Sequence, residues 1–195
     1  MSSRNHPAAD LGRRSFLSLG AGLASAALVG ASALTFMPRA VMAKTTAVDS
    51  RTLGFFNTHT NEILKATYWQ NGAYDRAAIQ DINYILRDYR NGEVFGMDVK
   101  LFDLLTALHR RTDSKKPFEI ISGYRSPVTN AKLAASSNGV AKKSMHMQGK
   151  AIDIRLRDVQ LADLRLDAMA MKAGGVGFYP KSDFVHVDTG RVRHW

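Results

Sequence analysis

Apolar and polar residues alternate over Ala151-Ile152-Asp153-Ile154-Arg155 and again over Phe184-Val185-His186-Val187-Asp188. A period of two is that of a half-buried strand. It puts Ile152 and Ile154 on one face, and Ala151, Asp153 and Arg155 on the other. In the second run Val185 and Val187 oppose His186 and Asp188. Two such strands, burying isoleucine and valine on the same side, bring Asp153 and His186 together on the opposite side. Residues 175–179 offer the second run a hairpin partner across Pro180-Lys181-Ser182-Asp183.

Elsewhere the period is 3.6. Ala78, Ile79, Ile82, Ile85, Leu86 and Tyr89 form one stripe, with Asp75 as the cap and Asn91-Gly92 as the stop. Asp98 caps a second helix reaching Arg111, with Leu101, Phe102, Leu105 and Leu108 inward. Its last turn sets His109, Arg110 and Arg111 against the negative helix end. Ser126-Pro127 opens a third helix, serine as cap and proline in the first position. Asp158 is expected to cap a fourth, with Val159, Leu161, Leu164, Ala168 and Met171 in its stripe and Gly174 at its C-terminal cap. Further strands are predicted at Leu53–Phe56, at Tyr68–Gln70 before the turn Asn71-Gly72, and at Pro117–Ser122. Residues 135–144 are small and polar and read as a loop rimming a cleft. The pattern predicts an α+β fold: a small, mainly antiparallel sheet, helices on its apolar face, and the polar constellation on the other.

That constellation has a definite chemistry. His146 stands seven positions before Asp153, in the loop ahead of the first alternating run, with Gly149 between them. His146, Asp153 and His186 with a water make a tetrahedral zinc site of the catalytic kind, one position open. Asp188 shares the strand face of His186. It is a candidate proton acceptor, or a carboxylate that orients a ligand histidine. Tyr124 and Arg125 follow a strand end, a rigid base on which substrate-binding side chains commonly sit. Trp69 reads as core or as a residue lining a substrate cleft, with core favoured, and Met169 and Met171 read as packing.

Composition narrows the chemistry further. The chain has 195 residues and no cysteine, which excludes disulfides, thiolate metal ligands and a thiol nucleophile. Arg13-Arg14 precedes an uncharged run from Phe16 to Met37, and Val41-Met42-Ala43 suits a signal peptidase. Residues 1–43 therefore read as a twin-arginine signal peptide, 44–50 as a linker and 51–195 as the working domain. The run is long enough to span a bilayer. Its alanines and glycines make it weakly apolar, which favours a cleaved leader over a retained anchor. The expected location is the periplasm, with the twin-arginine machinery as an export partner and no membrane insertion after cleavage. Net charge is +10, of which the leader's Arg4, Arg13, Arg14, Arg39 and Asp10 supply +3, leaving +7. A basic exported protein meets an anionic wall or membrane surface. Export and the lack of a basic run argue against nucleic acid.

The pattern Ser144-x-His146-x-x-Gly149-x-Ala151-x-Asp153, followed by His186-x-Asp188, resembles zinc peptidases of the D-alanyl-D-alanine carboxypeptidase, D,D-dipeptidase and hedgehog-like group. Ser122-Gly123-Tyr124-Arg125-Ser126-Pro127, the Gly174–Pro180 stretch and Phe184–Gly190 look more specifically like the YcbK-like murein endopeptidases. The resemblance covers residues 50–195. It implies a zinc peptidase that hydrolyses peptide cross-links of peptidoglycan, with the peptide stems as partner. A carboxypeptidase trimming terminal D-alanine, or a zinc domain that only binds cell wall, are the alternatives. The resemblance makes Arg125 the arginine facing substrate and Ser144 a supporting residue, and it gives His59 and Glu62 a surface place rather than a second metal site. It puts Asp183 where the D,D-dipeptidases carry a catalytic glutamate. Asp183 and Asp188 thus compete for the base, with strand parity favouring Asp188.

Overall fold

A computed structural model describes residues 49–136 and 139–195. The predicted leader and residues 44–48 of the predicted linker lie outside the described residues. The architecture is α+β, with four α-helices and a mixed sheet. In chain order the elements are β1 (Ser50–Asn57), β2 (Ile63–Gln70), β3 (Ala73–Tyr74), α1 (Arg76–Ile85), α2 (Val99–Thr112), β4 (Phe118–Ser122) and α3 (Pro127–Ser136). A 3₁₀ turn (Met145–Gln148), β5 (Ala151–Arg155), α4 (Leu161–Ala170), β6 (Gly175–Tyr179), β7 (Phe184–Asp188) and β8 (Arg193–His194) complete it.

The eight strands run in the order β3-β2-β1-β4-β5-β7-β6-β8. β1 with β4 and β6 with β8 are parallel, and the other neighbours are antiparallel. The sheet is larger than the small one expected, because it gains the two-residue strands β3 and β8 and because β2 begins at Ile63 rather than at Tyr68. Its inward residues are Leu64, Ala66 and Tyr68, and a weakly apolar alanine and the lysine beside it hide that alternation in the sequence.

Two helix boundaries differ from the pattern. α1 starts as expected, with Asp75 accepting from the N–H groups of Ala77 and Ala78, but it ends at Ile85. Asp88 captures the next stretch: it accepts from Arg90 N through its side chain and from Gly92 N through its carbonyl. Tyr89 leaves the stripe and stacks on His59, ring centres 3.8 Å apart. α4 is not capped by Asp158, whose carboxylate accepts instead from the Ser114 hydroxyl and Lys115 N. Nor does Gly174 close α4. Lys172 takes the left-handed conformation at φ 50°, and Gly174 packs against the Asp188 carbonyl, where a Cβ would overlap it.

Ile152 and Ile154 of β5 and Val185 and Val187 of β7 join Leu101, Phe102 and Leu105 of α2 and Leu164 of α4 in one core. Alternation then commits Asp153 and His186 to the opposite side. Register does the rest: Asp153 pairs with His186 on β7 and with Ser122 on β4.

Candidate metal centre

His146 comes from the 3₁₀ turn that precedes β5. Ser144 caps that turn, its hydroxyl accepting from His146 N at 3.3 Å. Gly149 ends it at φ 65°, a conformation that favours glycine, and a Cβ there would crowd the Gly96 carbonyl. His146 Nδ1 donates to the Gly123 carbonyl at 2.7 Å. That bond fixes the tautomer and leaves Nε2 with its lone pair facing inward. His186 is fixed in the reverse sense: Nε2 lies 3.0 Å from Asp188 Oδ2 and donates to it, which leaves Nδ1 inward.

The two inward nitrogens are 3.2 Å apart. Asp153 Oδ1 is 3.2 Å from His146 Nε2 and 2.9 Å from His186 Nδ1. Three lone-pair donors thus face one another in a buried triangle, and either a proton or a cation must lie between them. Donor atoms held tetrahedrally at zinc–ligand distances of about 2.0–2.2 Å are roughly 3.3–3.6 Å apart, a few tenths of an ångström wider than the observed edges of 2.9–3.2 Å. The set therefore fits zinc in both chemistry and spacing. It is the one cluster of this kind among the described residues. Burial drives Asp153 toward protonation, but in the proton-bridged form of the triangle the charge and hydrogen bonds of His146 and His186 outweigh it and hold the carboxyl well below the usual range. Burial likewise pulls His186 down, while Asp153 and Asp188 more than offset it, so its pKa is raised.

Asp188 is fully buried. Besides His186 it accepts from Gly175 N at 3.1 Å, Gly190 N at 2.8 Å, and Arg193 Nη1 and Nη2 at 3.0 and 2.7 Å. Burial raises its pKa, but hydrogen bonds from His186, Arg193 and Gly190 win and hold it below the usual carboxylate range. Asp183 differs in every respect. It sits in the β6–β7 turn at φ 54°, 61% exposed, and pairs with Arg155 at 2.6 Å. Its chain neighbours Ser182 and Phe184 line the cleft at His146, Asp153 and His186, while Asp183 itself lines a second pocket with Arg155, Arg157 and Asp158.

Arg125 also lines the cleft, buried, with Nη2 3.6 Å from Asp153 Oδ2. Nη1 donates to Asn130 and Nη2 to Ser122. Its Nε has no hydrogen-bond partner among the described residues. Burial lowers its pKa, so an anion docking beside it relieves a desolvated charge. Tyr124 is not brought to the cleft. Its ring stacks on Phe95 at 4.6 Å and its hydroxyl donates to Glu93, because consecutive residues at a strand end face opposite ways. Burial and Glu93 push that hydroxyl up to about 12.

The cleft encloses about 340 Å³. Ser144, His146, Asp153, His186 and Arg125 line it, together with Lys143 of the loop expected to rim a cleft, and with Tyr179, Phe184, Arg193 and Trp195, to which the sequence patterns gave no site role. Two of these carried a signal: Lys143 lies in the small, polar 135–144 stretch, and Phe184 shares strand parity with His186. His59 donates to the Ile121 carbonyl and Glu62 pairs with Arg87, as surface residues do.

The family model described as peptidoglycan L,D-endopeptidase MepK matches residues 45–195. The chain belongs to the MepK family. The Escherichia coli K12 member, named peptidoglycan L,D-endopeptidase MepK, is 40% identical over 186 residues, 95% of this chain and 98% of its own length. The Haemophilus influenzae member, named probable peptidoglycan L,D-endopeptidase MepK, is 37% identical over 187 residues, 95% of this chain and 96% of its own. No solved structure matches the chain. Membership in the MepK family makes the protein a peptidoglycan-hydrolysing peptidase, a murein endopeptidase. No helix among the described residues is long and apolar enough to cross a membrane.

Proposed function

We propose that the protein is a zinc-dependent L,D-endopeptidase that opens peptide cross-links of peptidoglycan in the periplasm. The observation that carries the metal is the triangle of lone pairs from His146, Asp153 and His186 at 2.9–3.2 Å. The names of its relatives carry the bond type. The proposed layout is a mainly antiparallel sheet with helices on its apolar face and zinc on the other. The opposed facing of Ile152 and Asp153 supports it.

His146, Asp153 and His186 would hold the ion. When bound, zinc supplies Lewis acidity toward the scissile carbonyl and makes water a nucleophile near neutral pH. The Gly123 carbonyl and Asp188 hold the two imidazoles in the tautomers that ligation needs. For Asp188 that is the role we propose, because its oxygens are engaged by five donors and it has no exposure to the cleft. Asp183 is then the proposed proton acceptor, returning the proton to the leaving amine. Its exposure, its place between two cleft-lining residues and its pairing with Arg155, which shares the β5 face of Asp153, support this. Arg125 binds a substrate carboxylate or the developing oxyanion, and Ser144 supports His146.

Digestion of purified sacculi tests the reading. Mass analysis of the released fragments is expected to show cross-links joined three-to-three opened, with those joined four-to-three left. Release of terminal D-alanine alone would identify the carboxypeptidase instead. We propose export through Arg13 and Arg14, with cleavage near Ala43; the family match beginning at residue 45 supports that boundary. Changing both arginines to lysine is expected to leave precursor in the cytoplasm, and normal maturation of that variant would sink the idea.

A further inference from the structure

Trp195 is a large aromatic residue that is 48% exposed, yet it is held rigidly. Its backbone is bonded to β6 on both sides: Trp195 N donates to the Val176 carbonyl at 3.2 Å, and Phe178 N donates to the Trp195 carbonyl at 3.0 Å. Its indole N–H donates to the Tyr179 hydroxyl at 2.8 Å. The polar atom is thereby satisfied, and what the ring offers the cleft is hydrocarbon. The ring centre lies 5.4 Å from that of His186. The seat beneath it is Gly177, which pairs with His186 in the sheet. A Cβ on Gly177 would lie 2.7 Å from indole Cε2, so glycine is what lets the ring lie this close to the strand.

Tyr179 and Phe184, stacked at 4.5 Å, continue the wall. Arg193 lies 5.0 Å from the indole centre, but its guanidinium is engaged by Asp188 and is no free cation. The cleft lining thus joins two unlike kinds of group, the cations Arg125 and Lys143 and the aromatic hydrocarbon of Tyr179, Phe184 and Trp195. A peptide stem has matching parts, carboxylates and aliphatic chains. A preorganised aromatic surface beside the reacting centre loses little freedom when such a chain lies on it.

We propose that Trp195, with Tyr179 and Phe184, forms an aromatic subsite for the aliphatic part of the peptide stem next to the scissile bond. The proposal rests on the endopeptidase reading above. Its test compares the zinc-loaded wild type with Trp195→Ala and Trp195→Phe. On purified cross-linked muropeptide dimers, Trp195→Ala is expected to raise KM about tenfold, as loss of a central aromatic anchor does, with zinc content and thermal midpoint held. Trp195→Phe, which keeps a ring, is expected to recover most of the loss. Calorimetric titration with the monomeric stem peptide, which has no cross-link to cut, is expected to show the same drop in affinity. Wild-type KM and affinity in Trp195→Ala overturn the subsite. A fall in kcat and zinc content with KM unchanged also overturns it, because it makes Trp195 a packing residue for His186. A wild type that cuts no dimer overturns the endopeptidase reading, and the calorimetric comparison then still decides the subsite.

Discussion

On one side of the sheet, β1, β2 and β4 enclose Phe55, Tyr68 and Phe118 with Phe102 of α2, all essentially without exposure. On the other, β5, β6 and β7 are five residues each, and His146, Asp153, His186 and Asp188 are as deeply buried as the aliphatic residues beside them. Burying charge is costly unless it is paired and hydrogen-bonded. Burying aromatic rings stabilises by about 1.5–3 kcal/mol each. The difference teaches a division of labour. The aromatic half supplies stability, and the charged half uses some of it to hold ligands in one geometry.

The largest break in that contrast is Asp153→Asn. It removes one apex of the triangle, and hydrolysis of sacculi is expected to vanish along with zinc content. Circular dichroism is expected to show the fold intact, since the aromatic half is untouched. A variant that keeps full zinc would refute the ligand assignment.

Next in size is Asp183→Asn, expected to lose about 10²–10⁴-fold in rate while keeping metal. Full activity in this variant would remove Asp183 as the proton acceptor. Phe102→Ala makes the opposite cut. It is expected to cost about 3–5 kcal/mol in urea unfolding, with turnover per bound zinc unchanged in the folded fraction. Asp188→Asn should weaken zinc affinity or activity by about 10–100-fold through the loosened His186 ring. A larger loss of rate with metal retained would return the base to Asp188.

The smallest effect sharpens the comparison. Asp88 is a buried carboxylate outside the metal cluster, accepting from Ser126 N at 3.0 Å and Arg90 N at 3.1 Å. Burial raises its pKa, but hydrogen bonds from Thr129, Ser126 and Arg90 prevail and lower it. Its contribution to stability is thus present above the unfolded value near ~3.9 and lost as pH falls through the lowered native one. Asp88→Asn is expected to cost about 1–3 kcal/mol at neutral pH, and the gap to wild type should close in acid. Denaturant midpoints across pH read it directly.

The strands that carry the site were legible because their alternation is strict, and valine and isoleucine mark the buried face without ambiguity. β2 was only half legible, since Ala66 and Lys65 blur the same period. The α1 stop was hidden in a side chain: Asp88 competes for backbone N–H groups in a way no periodicity shows. Asp158 and Gly174 fit capping rules locally and were taken by distant partners, Ser114 and the Asp188 carbonyl. The triad could be assembled from two parities and a spacing. Trp195 could not, because its place depends on the pairing of β8 with β6 and on the room above Gly177.

Ser122, Asp153 and His186 lie abreast across β4, β5 and β7. A slip of one residue between β5 and β7 turns every side chain of the slipped strand to the other face. Such a chain would turn Asp153 into the core and Ile152 out toward the cleft, and it would have no triad. A cation that binds only the aligned form favours it by mass action, by about 2.7 kcal/mol at a hundredfold excess over Kd. Under the proposed zinc site, metal uptake would thereby proofread the pairing of two strands. If the protein crosses the membrane already folded, as the proposed twin-arginine export requires, that proofreading would come before departure, and misaligned chains would be the ones left without an ion.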